Sequence, residues 1–187
     1  VVVCDRAKNP TCCGLVQLKE TTNHELLYKD YFYRSGTNDT MRKDLKDVVT
    51  TVLTKVTTKK GDVVVDIGSN DGTMISYFPK SLARIGVEPA KNITWDHLDP
   101  SITVVNDYFS KKALTKTLHG RTVKILTSCA MFYDLDDPNS FVADAASVLA
   151  VDGVWCIQLS YALSMLENMN FYDICHEHLE YYSLATL

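Results

Sequence analysis

From residue 63 onward, the chain alternates short apolar runs with stretches of helical periodicity, and this rhythm is its most constraining feature. The apolar runs cover residues 63–67, 84–87, 102–105, 123–127 and 154–159. Ser110 can cap one intervening helix, and Asp137 can cap another with Pro138 in its first turn. Continuous apolar strands joined by helices are typical of a parallel sheet covered on both faces. The pattern therefore predicts an α/β fold with a doubly wound, mostly parallel sheet.

A helix is predicted before this alternation begins. Apolar residues recur at spacings of three and four between Met41 and Val56, which defines one face of a helix. Asn38, Asp39 or Thr40 can cap its start, and the segment 59–61, Lys-Lys-Gly, supplies cations and a glycine at its end. We predict a helix over residues 40–60.

The first apolar run ends in a glycine loop. Gly68 and Gly72 allow a tight turn and a close approach to a ligand, because neither has a Cβ atom. Asn70 stands where a dinucleotide-binding loop has its second glycine, and no phosphate-loop lysine follows. The carboxylate of Asp66, at the end of the strand, disfavours a phosphate and suits a cationic amino-acid group. The loop therefore predicts a nucleoside ligand with a positive, phosphate-free tail.

Polar and aromatic residues follow the next three strands. Glu88 lies 22 residues after the acidic end of the first strand (88 minus 66), where a carboxylate can accept both ribose hydroxyls. Asp107 and Phe109 follow the third strand, suited to an adenine amino group and ring face, and Ser128 and Ala130 follow the fourth, at the reacting end of the ligand. The alternative is a glycine loop that only packs a helix on a strand, with Glu88 a solvated turn residue. The occurrence of these residues on successive strands favours nucleoside binding.

Several segments carry a family resemblance. Residues 66–72 and 87–90, Val-Glu-Pro-Ala, resemble motif I and the second acidic motif of class I S-adenosylmethionine-dependent methyltransferases. Residues 130–135, 152–155 and especially 173–184, which contain His176-Glu177-His178, resemble the C-methyltransferases of nucleotide-linked 4-keto-deoxysugars. The resemblance extends over nearly the whole chain from Cys13 and implies a Rossmann-like fold with S-adenosylmethionine as cofactor. The predicted cofactor-binding residues are Asp66, Gly68, Asn70, Asp71, Gly72, Glu88, Pro89, Asp107, Phe109, Ser128 and Ala130.

The resemblance also implies a reaction through an enolate. A base removes the hydrogen next to the ketone, and a donor stabilises the enolate oxygen. Glu177 and His178 match the family's catalytic pair, with His178 as the base and Glu177 in substrate binding. His176 is a candidate orienting group or oxyanion donor, and Tyr33 is a candidate enolate donor in a segment that resembles a substrate-side tyrosine segment. Cys175 replaces a tyrosine found in several members, which removes a hydroxyl donor.

Other interpretations remain open at this stage. The His-Glu-His segment can be a structural polar cluster or part of a metal site, and the tyrosines can be packing aromatics. The same core can also methylate oxygen or nitrogen of another small molecule, or bind S-adenosylmethionine without catalysis and use the His-Glu-His segment at an interface.

The resemblance further implies a zinc lobe before the core and more strands after it. The family's zinc lobe uses two cysteine pairs, so Cys4 and Cys13, with Cys12 as a substitute, are the predicted ligands in the complete protein only. We interpret residues 1–36 as a remnant of this lobe with the tyrosine segment, and residues 37–187 as the methyltransferase core. Five strands are predicted where the family has seven. The open sheet edge then predicts a homodimer.

Charge and hydropathy limit the classes of partner that the chain is expected to bind. The net charge of −4 gives no basic footprint for nucleic acid or an anionic membrane. No run reaches the roughly 18 apolar residues of a membrane span, and no signal sequence is evident. We expect a cytoplasmic protein whose partner is a small molecule, a keto-sugar nucleotide.

Overall fold

The computed structural model describes residues 1–187, except the side chain of His24, and contains two sheets. The strands are β1 (Val2–Val3), β2 (Val16–Gln17), β3 (Val63–Ile67), β4 (Ala83–Val87), β5 (Ile102–Val105), β6 (Val123–Cys129), β7 (Leu149–Gln158) and β8 (Glu180–Tyr181). The helices are α1 (His24–Tyr28), α2 (Asp39–Lys55), α3 (Thr73–Tyr77), α4 (Lys111–Leu118), α5 (Pro138–Val148) and α6 (Ala162–Glu167). In the described residues, the main sheet has the order β5-β4-β3-β6-β7 with all neighbours parallel.

The main sheet is covered by helices on both faces. Val64 of β3 packs in a core with α2 and α3, whereas Val63 and Val65 pack in a second core with α4 and α5. Successive side chains of a strand point to opposite faces, which is why a continuously apolar strand feeds both cores. The predicted doubly wound α/β fold is confirmed.

The end of helix α2 and the start of strand β7 differ most from their predicted bounds. Helix α2 begins at the predicted cap, Asn38, but ends at Lys55 rather than residue 60. Val56 is already extended, and the Lys59 N–H donates to the Asp62 carboxylate at 2.8 Å. This local hydrogen bond turns the backbone toward β3 and ends the helix early.

Strand β7 is longer than predicted. It begins at Leu149, a residue that the apolar pattern assigned to the preceding helix. The pairing of β6 with β7 shifts register between Val123 and Ile125, and a Cβ atom on Gly153 would lie 2.8 Å from the Val123 carbonyl oxygen. The glycine therefore permits the close approach of the two strands at this irregularity.

A small antiparallel sheet joins distant parts of the sequence. Strand β2 pairs with β1 on one side and with β8 on the other, with Val16 opposite Tyr181. The Leu18 N–H donates to the Leu179 carbonyl, and the Leu179 N–H donates to the Tyr133 carbonyl, both at 2.8 Å. The residues after the His-Glu-His segment are thus held between the N-terminal strands and the turn that follows β6, an arrangement that the sequence analysis did not predict.

The main sheet ends in β5 on one side and β7 on the other within the described residues. Pairing of two chains through such an edge stays a prediction. No helix in the described part of the chain is long and apolar enough to cross a membrane.

Candidate functional site

A cleft lies at the carboxyl ends of β3, β4 and β6, the usual position of a ligand in an open α/β sheet. It encloses about 780 Å³, part of it open to solvent. Six of the predicted cofactor-binding residues line it, namely Gly68, Asn70, Glu88, Pro89, Phe109 and Ala130. The other lining residues are Tyr28, Tyr31, Ile67, Val87, Tyr108, Met131, Asp134, Leu135 and Phe141.

The glycine loop forms the floor of the cleft. Gly68 has a φ of 66° and Asn70 a φ of 51°, both in the left-handed region. The Asn70 side chain donates to the Tyr33 carbonyl at 3.1 Å and accepts the Ser35 N–H at 3.0 Å. Asn70 therefore fastens the tyrosine segment to the loop, which gives a structural reason for asparagine in place of the second glycine.

Glu88 presents a buried carboxylate to the cleft. One oxygen accepts the Asn70 N–H and the other accepts the Ala90 N–H, each at 2.8 Å. Burial raises the pKa of Glu88, and these two hydrogen bonds and the nearby Arg34 guanidinium oppose the rise. Each oxygen keeps acceptor capacity beyond its backbone bond, so the carboxylate can still accept a hydroxyl from a ligand.

Three predicted loop residues lie behind the cleft rather than on its wall. Asp66 is buried and accepts the Thr127 hydroxyl at 2.7 Å, and burial raises the pKa of Asp66 to about 7. Asp71 accepts the Gly36 N–H at 2.8 Å. A Cβ atom on Gly72 would lie 2.2 Å from the Leu98 side chain. These residues fix the shape of the loop that contacts the ligand space.

Asp107 and Ser128 also lie off the cleft wall. Asp107 is exposed, and its carboxylate accepts the Tyr108 N–H at 2.8 Å. Ser128 is buried and accepts the Trp155 indole N–H at 3.1 Å. Tyr108, which the sequence analysis did not single out, takes the place on the wall beside Phe109.

An acidic and aromatic cluster forms the wall beyond the end of β6. Tyr28 and Tyr31 have ring centroids 5.5 Å apart, and the Tyr28 hydroxyl lies near the Asp134 carboxyl. The Asp134 Oδ1 atom is buried and accepts no hydrogen bond from the described residues. Burial raises the pKa of Asp134 to about 8, and the carboxylates of Glu177 and Glu180 add to the rise while the Tyr28 hydroxyl opposes it.

The sequence analysis missed Tyr28 and Asp134 as site residues. Asp134 carries a signal in retrospect, because it is an acid in the otherwise apolar and aromatic run that directly follows β6. The sequence around Tyr28 carries no such signal, because Tyr28 comes near Asp134 only in the folded chain.

The His-Glu-His segment flanks this wall without lining the cleft. The His178 Nδ1 atom lies 2.7 Å from the Asp173 carbonyl oxygen. A carbonyl can only accept, so Nδ1 carries the hydrogen and Nε2 keeps its lone pair in the neutral ring. The His178 ring packs on Tyr133 with centroids 4.3 Å apart. His178 is therefore fixed in the tautomer that a base acting through Nε2 requires.

The neighbours of His178 are placed differently. Glu177 lies close enough to the cluster that its charge raises the pKa of Asp134 and of Tyr31, and it accepts the Cys175 thiol at 3.8 Å. His176 is exposed. Tyr33 is half-buried beside Asp71 and does not line the cleft, whereas Tyr31 does.

Three cysteines meet near the chain start. The Cys13 N–H donates to Cys4 Sγ at 3.3 Å, and a hydrogen bond from the Cys12 thiol lowers the pKa of Cys4. Across the described residues, no group of three or more His, Cys, Asp or Glu side chains is arranged to hold a metal ion. A structural zinc site needs four ligands, so the zinc role of Cys4 and Cys13 stays a prediction for a longer protein.

The chain is similar to known methyltransferases, although no family model matches it. The C-methyltransferase NovU of Streptomyces niveus is 26% identical over 190 residues, and the match spans 100% of this chain and 44% of that protein. The chain thus spans less than half the length of this relative.

Two solved structures share the fold. One is the complex between the Haloferax volcanii Trm112 methyltransferase activator and a methyltransferase, with a TM-score of 0.58, 18% identity and coverage of 79% of this chain and 68% of that chain. The other is the plantazolicin methyltransferase BpumL with a pentazolic substrate analogue and S-adenosylhomocysteine, with a TM-score of 0.53, 14% identity and coverage of 78% and 52%. The fold is that of a Rossmann-like methyltransferase.

Proposed function

We propose that the chain binds S-adenosylmethionine in this cleft and belongs to a methyltransferase. The observation that carries the proposal is the buried Glu88 carboxylate, held by two backbone N–H groups at the cleft wall. None of the lining residues is lysine, arginine or histidine, so the cleft suits a nucleoside without phosphates. The similarity to NovU, a C-methyltransferase, and the S-adenosylhomocysteine bound to BpumL support the same ligand.

The positions of the lining residues suggest how the ligand would lie. Glu88 would accept the ribose hydroxyls, with Tyr108 and Phe109 against the adenine ring. The loop at Gly68 and Asn70 would contact the amino-acid tail. The sulfonium end would then face Ala130 and the wall beyond β6, because β3 separates the ends of β4 and β6 in the sheet. When bound, the cofactor supplies an electrophilic methyl group.

For the acceptor, we propose a nucleotide-linked keto-deoxysugar that is methylated on carbon. His178 would remove the hydrogen next to the ketone through Nε2, the nitrogen left free by the Asp173 contact. The enolate carbon would then attack the sulfonium methyl group. Glu177 would contact the sugar, and His176 and Tyr33 are further candidates near the acceptor. Because no pyrophosphate-binding cation lines the cleft, the nucleotide part of the acceptor would lie outside it.

Calorimetric titration with S-adenosylhomocysteine tests the cofactor. The Glu88→Gln variant should bind more weakly by about 1–3 kcal/mol, because one charged acceptor is lost. The Glu167→Gln variant, changed at an exposed acid on α6, is the matched control and should bind as the unsubstituted chain does. Absence of binding by a folded chain would contradict the proposal.

Isotope loss distinguishes the alternatives for the reaction. Only carbon methylation removes deuterium from the carbon next to the ketone of the acceptor. Methylation with full retention of deuterium would indicate an O- or N-methyltransferase. Binding of S-adenosylhomocysteine without methylation of any acceptor would indicate a non-catalytic module.

A further inference from the structure

The cleft has a second carboxyl group whose surroundings differ from those of Glu88. Asp134 ends the single helical turn Phe132–Asp134 that directly follows β6, and it lines the cleft. The Tyr28 hydroxyl lies near it, and the buried Asp134 Oδ1 atom accepts no hydrogen bond from the described residues. None of the ion pairs formed by the described residues includes Asp134. The fold therefore places a carboxyl without a cationic partner at the reacting end of the cleft.

The groups around Asp134 favour its neutral form. Tyr28 faces it from the end of α1, Glu177 from the His-Glu-His segment and Glu180 from β8. Glu180 is buried, so Asp134 shares a poorly solvated region with two further acids. Desolvation and like charges both disfavour a carboxylate, and together they raise the pKa of Asp134 to about 8. A carboxyl in this state is a hydrogen-bond donor near neutral pH.

We propose that the carboxylic acid of Asp134 donates a hydrogen bond to the carbonyl oxygen of the acceptor as that oxygen gains negative charge. The inference rests on the proposed function and adds a catalytic residue to it. The cleft position of Asp134 and the absence of a hydrogen-bond partner for its buried Oδ1 among the described residues leave this carboxyl free to act on a ligand.

In the proposed reaction, each bond that forms is matched by a bond that breaks. The base takes the hydrogen from the carbon next to the ketone, the C–H electron pair forms a carbon–carbon double bond, and the carbonyl π electrons move to the oxygen that Asp134 faces. The enolate carbon next forms a bond to the methyl carbon while the S–CH₃ electron pair moves to sulfur. The ketone re-forms, the Asp134 proton remains on Asp134, and the proton on the base leaves to solvent.

Position favours Asp134 over the two donors predicted from the sequence. Tyr33 and His176 do not line the cleft, whereas Asp134 does. Asp134 and the packing partner of His178 are also consecutive residues, since the His178 ring contacts Tyr133. The base and the acid would thus be held by the same short turn, on the same side of the cleft.

Hydrogen–deuterium exchange at the carbon next to the ketone tests the donor without methyl transfer. The protein is saturated with S-adenosylhomocysteine and given a nucleoside-diphosphate 4-keto-6-deoxyhexose in D₂O. Asp134→Leu removes the donor and should slow exchange by about 100–1,000-fold, a typical loss for one oxyanion donor. Asp134→Asn keeps a donor, so its exchange should stay within about tenfold of the unsubstituted protein.

The pH profile separates a catalytic from a structural role. Exchange by the unsubstituted protein should decline above about pH 8, as Asp134 ionises, and Asp134→Asn should lose this decline because an amide does not titrate. Carboxyl NMR of aspartate-labelled protein, assigned with Asp134→Asn, should show the same titration. An unchanged decline in Asp134→Asn, or a carboxyl that titrates near 4, would overturn the inference.

The remaining outcomes separate the inference from the function on which it rests. Exchange by Asp134→Leu within about threefold of the unsubstituted protein would refute the donor role alone. Absence of exchange in the unsubstituted protein, with S-adenosylhomocysteine bound, would refute carbon methylation of this acceptor class and the donor role with it.

Discussion

Glu88 and Asp134 line one cleft, yet the fold treats these two carboxyl groups in opposite ways. Glu88 receives two backbone N–H bonds and lies near the Arg34 guanidinium. Asp134 lies near one tyrosine hydroxyl and two further acids, and its buried Oδ1 atom accepts no hydrogen bond from the described residues. Burial raises the pKa of both groups, but only at Glu88 do positive charge and backbone donors oppose it.

This difference shows how environment assigns chemistry to a residue type. Backbone N–H groups and a cation stabilise a carboxylate, which accepts hydrogen bonds, whereas apolar surroundings and like charges stabilise an acid, which donates one. We call the end of the cleft at Glu88 the Glu88 side and the end at Asp134 the Asp134 side. We therefore expect the Glu88 side to control binding of the cofactor and the Asp134 side to control reaction with the acceptor.

We expect the largest effect, a loss of methyl transfer without a loss of cofactor binding, from a substitution of His178. His178→Gln should lower methyl transfer about 100–10,000-fold, the usual contribution of a general base, because Nε2 of the imidazole is lost. Affinity for S-adenosylhomocysteine, measured by calorimetry, should not change. His119→Asn, at an exposed histidine that follows α4 and does not line the cleft, is the control. Equal losses in both variants would contradict a specific role for His178.

The next largest effect is on stability and concerns the packing of β4, the strand that leads to Glu88. A Cβ atom on Gly86 would lie 2.1 Å from the Trp95 ring. Gly86→Ala should lower the free energy of unfolding by about 1–3 kcal/mol through overpacking, as measured by urea titration. Trp95→Leu should relieve the clash, so the double variant should lose less than the sum of the two single losses. Strict additivity would show that the two residues do not clash.

The pH dependence of stability should reveal the Asp134 side. The pKa of Asp134 is raised to about 8 from about 4 in the unfolded chain, so the folded state binds more protons between these values. Its contribution to the free energy of unfolding is complete below about pH 4 and is lost as the pH rises toward 8, by at most about 1.4 kcal/mol per pH unit. Urea titrations between pH 5 and 8 should show this decline. Asp134→Asn should make it less steep without abolishing it, because the pKa values of Asp66 and Glu180, raised to about 7 and about 8, contribute in the same direction. Asp62→Asn, at a half-exposed acid before β3, is the control and should leave the decline unchanged.

We expect the smallest effect from a substitution at the start of α2, which belongs to neither side of the cleft. The Asn38 side chain accepts the Thr40 and Met41 N–H groups at 2.8 and 3.3 Å. Asn38→Ala should lower the free energy of unfolding by about 1 kcal/mol through loss of this cap, measured by urea titration. Calorimetry should show unchanged affinity for S-adenosylhomocysteine. A weaker affinity would mean that the start of α2 is coupled to the glycine loop.

The Glu88 side was the more predictable of the two from sequence. Strands β3 and β5 have the predicted bounds, because an unbroken apolar run has few alternatives to a buried strand. Gly68 and Glu88 line the cleft as expected, since a parallel sheet brings the carboxyl ends of its strands to one edge. Even here, Asp66 and Asp107 lie off the wall, because spacing along a strand end does not determine which side chain turns inward.

The Asp134 side depends on contacts that no local pattern encodes. Strands β1, β2 and β8 have two residues each, too few for a recognisable alternation. Tyr28 reaches Asp134 only through the folding of the N-terminal segment onto the core. Sequence reasoning found the His-Glu-His segment through its family resemblance, but it did not reveal the acid that the structure places beside it.

The small sheet also has a consequence for the order in which the molecule is built. Val16 pairs with Tyr181, 165 positions later (181 minus 16), whereas Val63 pairs with Ala83 after only 20 (83 minus 63). Pairs that close long loops carry a larger entropic cost and tend to form late in folding. During synthesis, β3, β4 and the Glu88 carboxylate leave the ribosome before residue 181 exists. A nucleoside that binds this early half would stabilise it by mass action before the second wall of the cleft is complete.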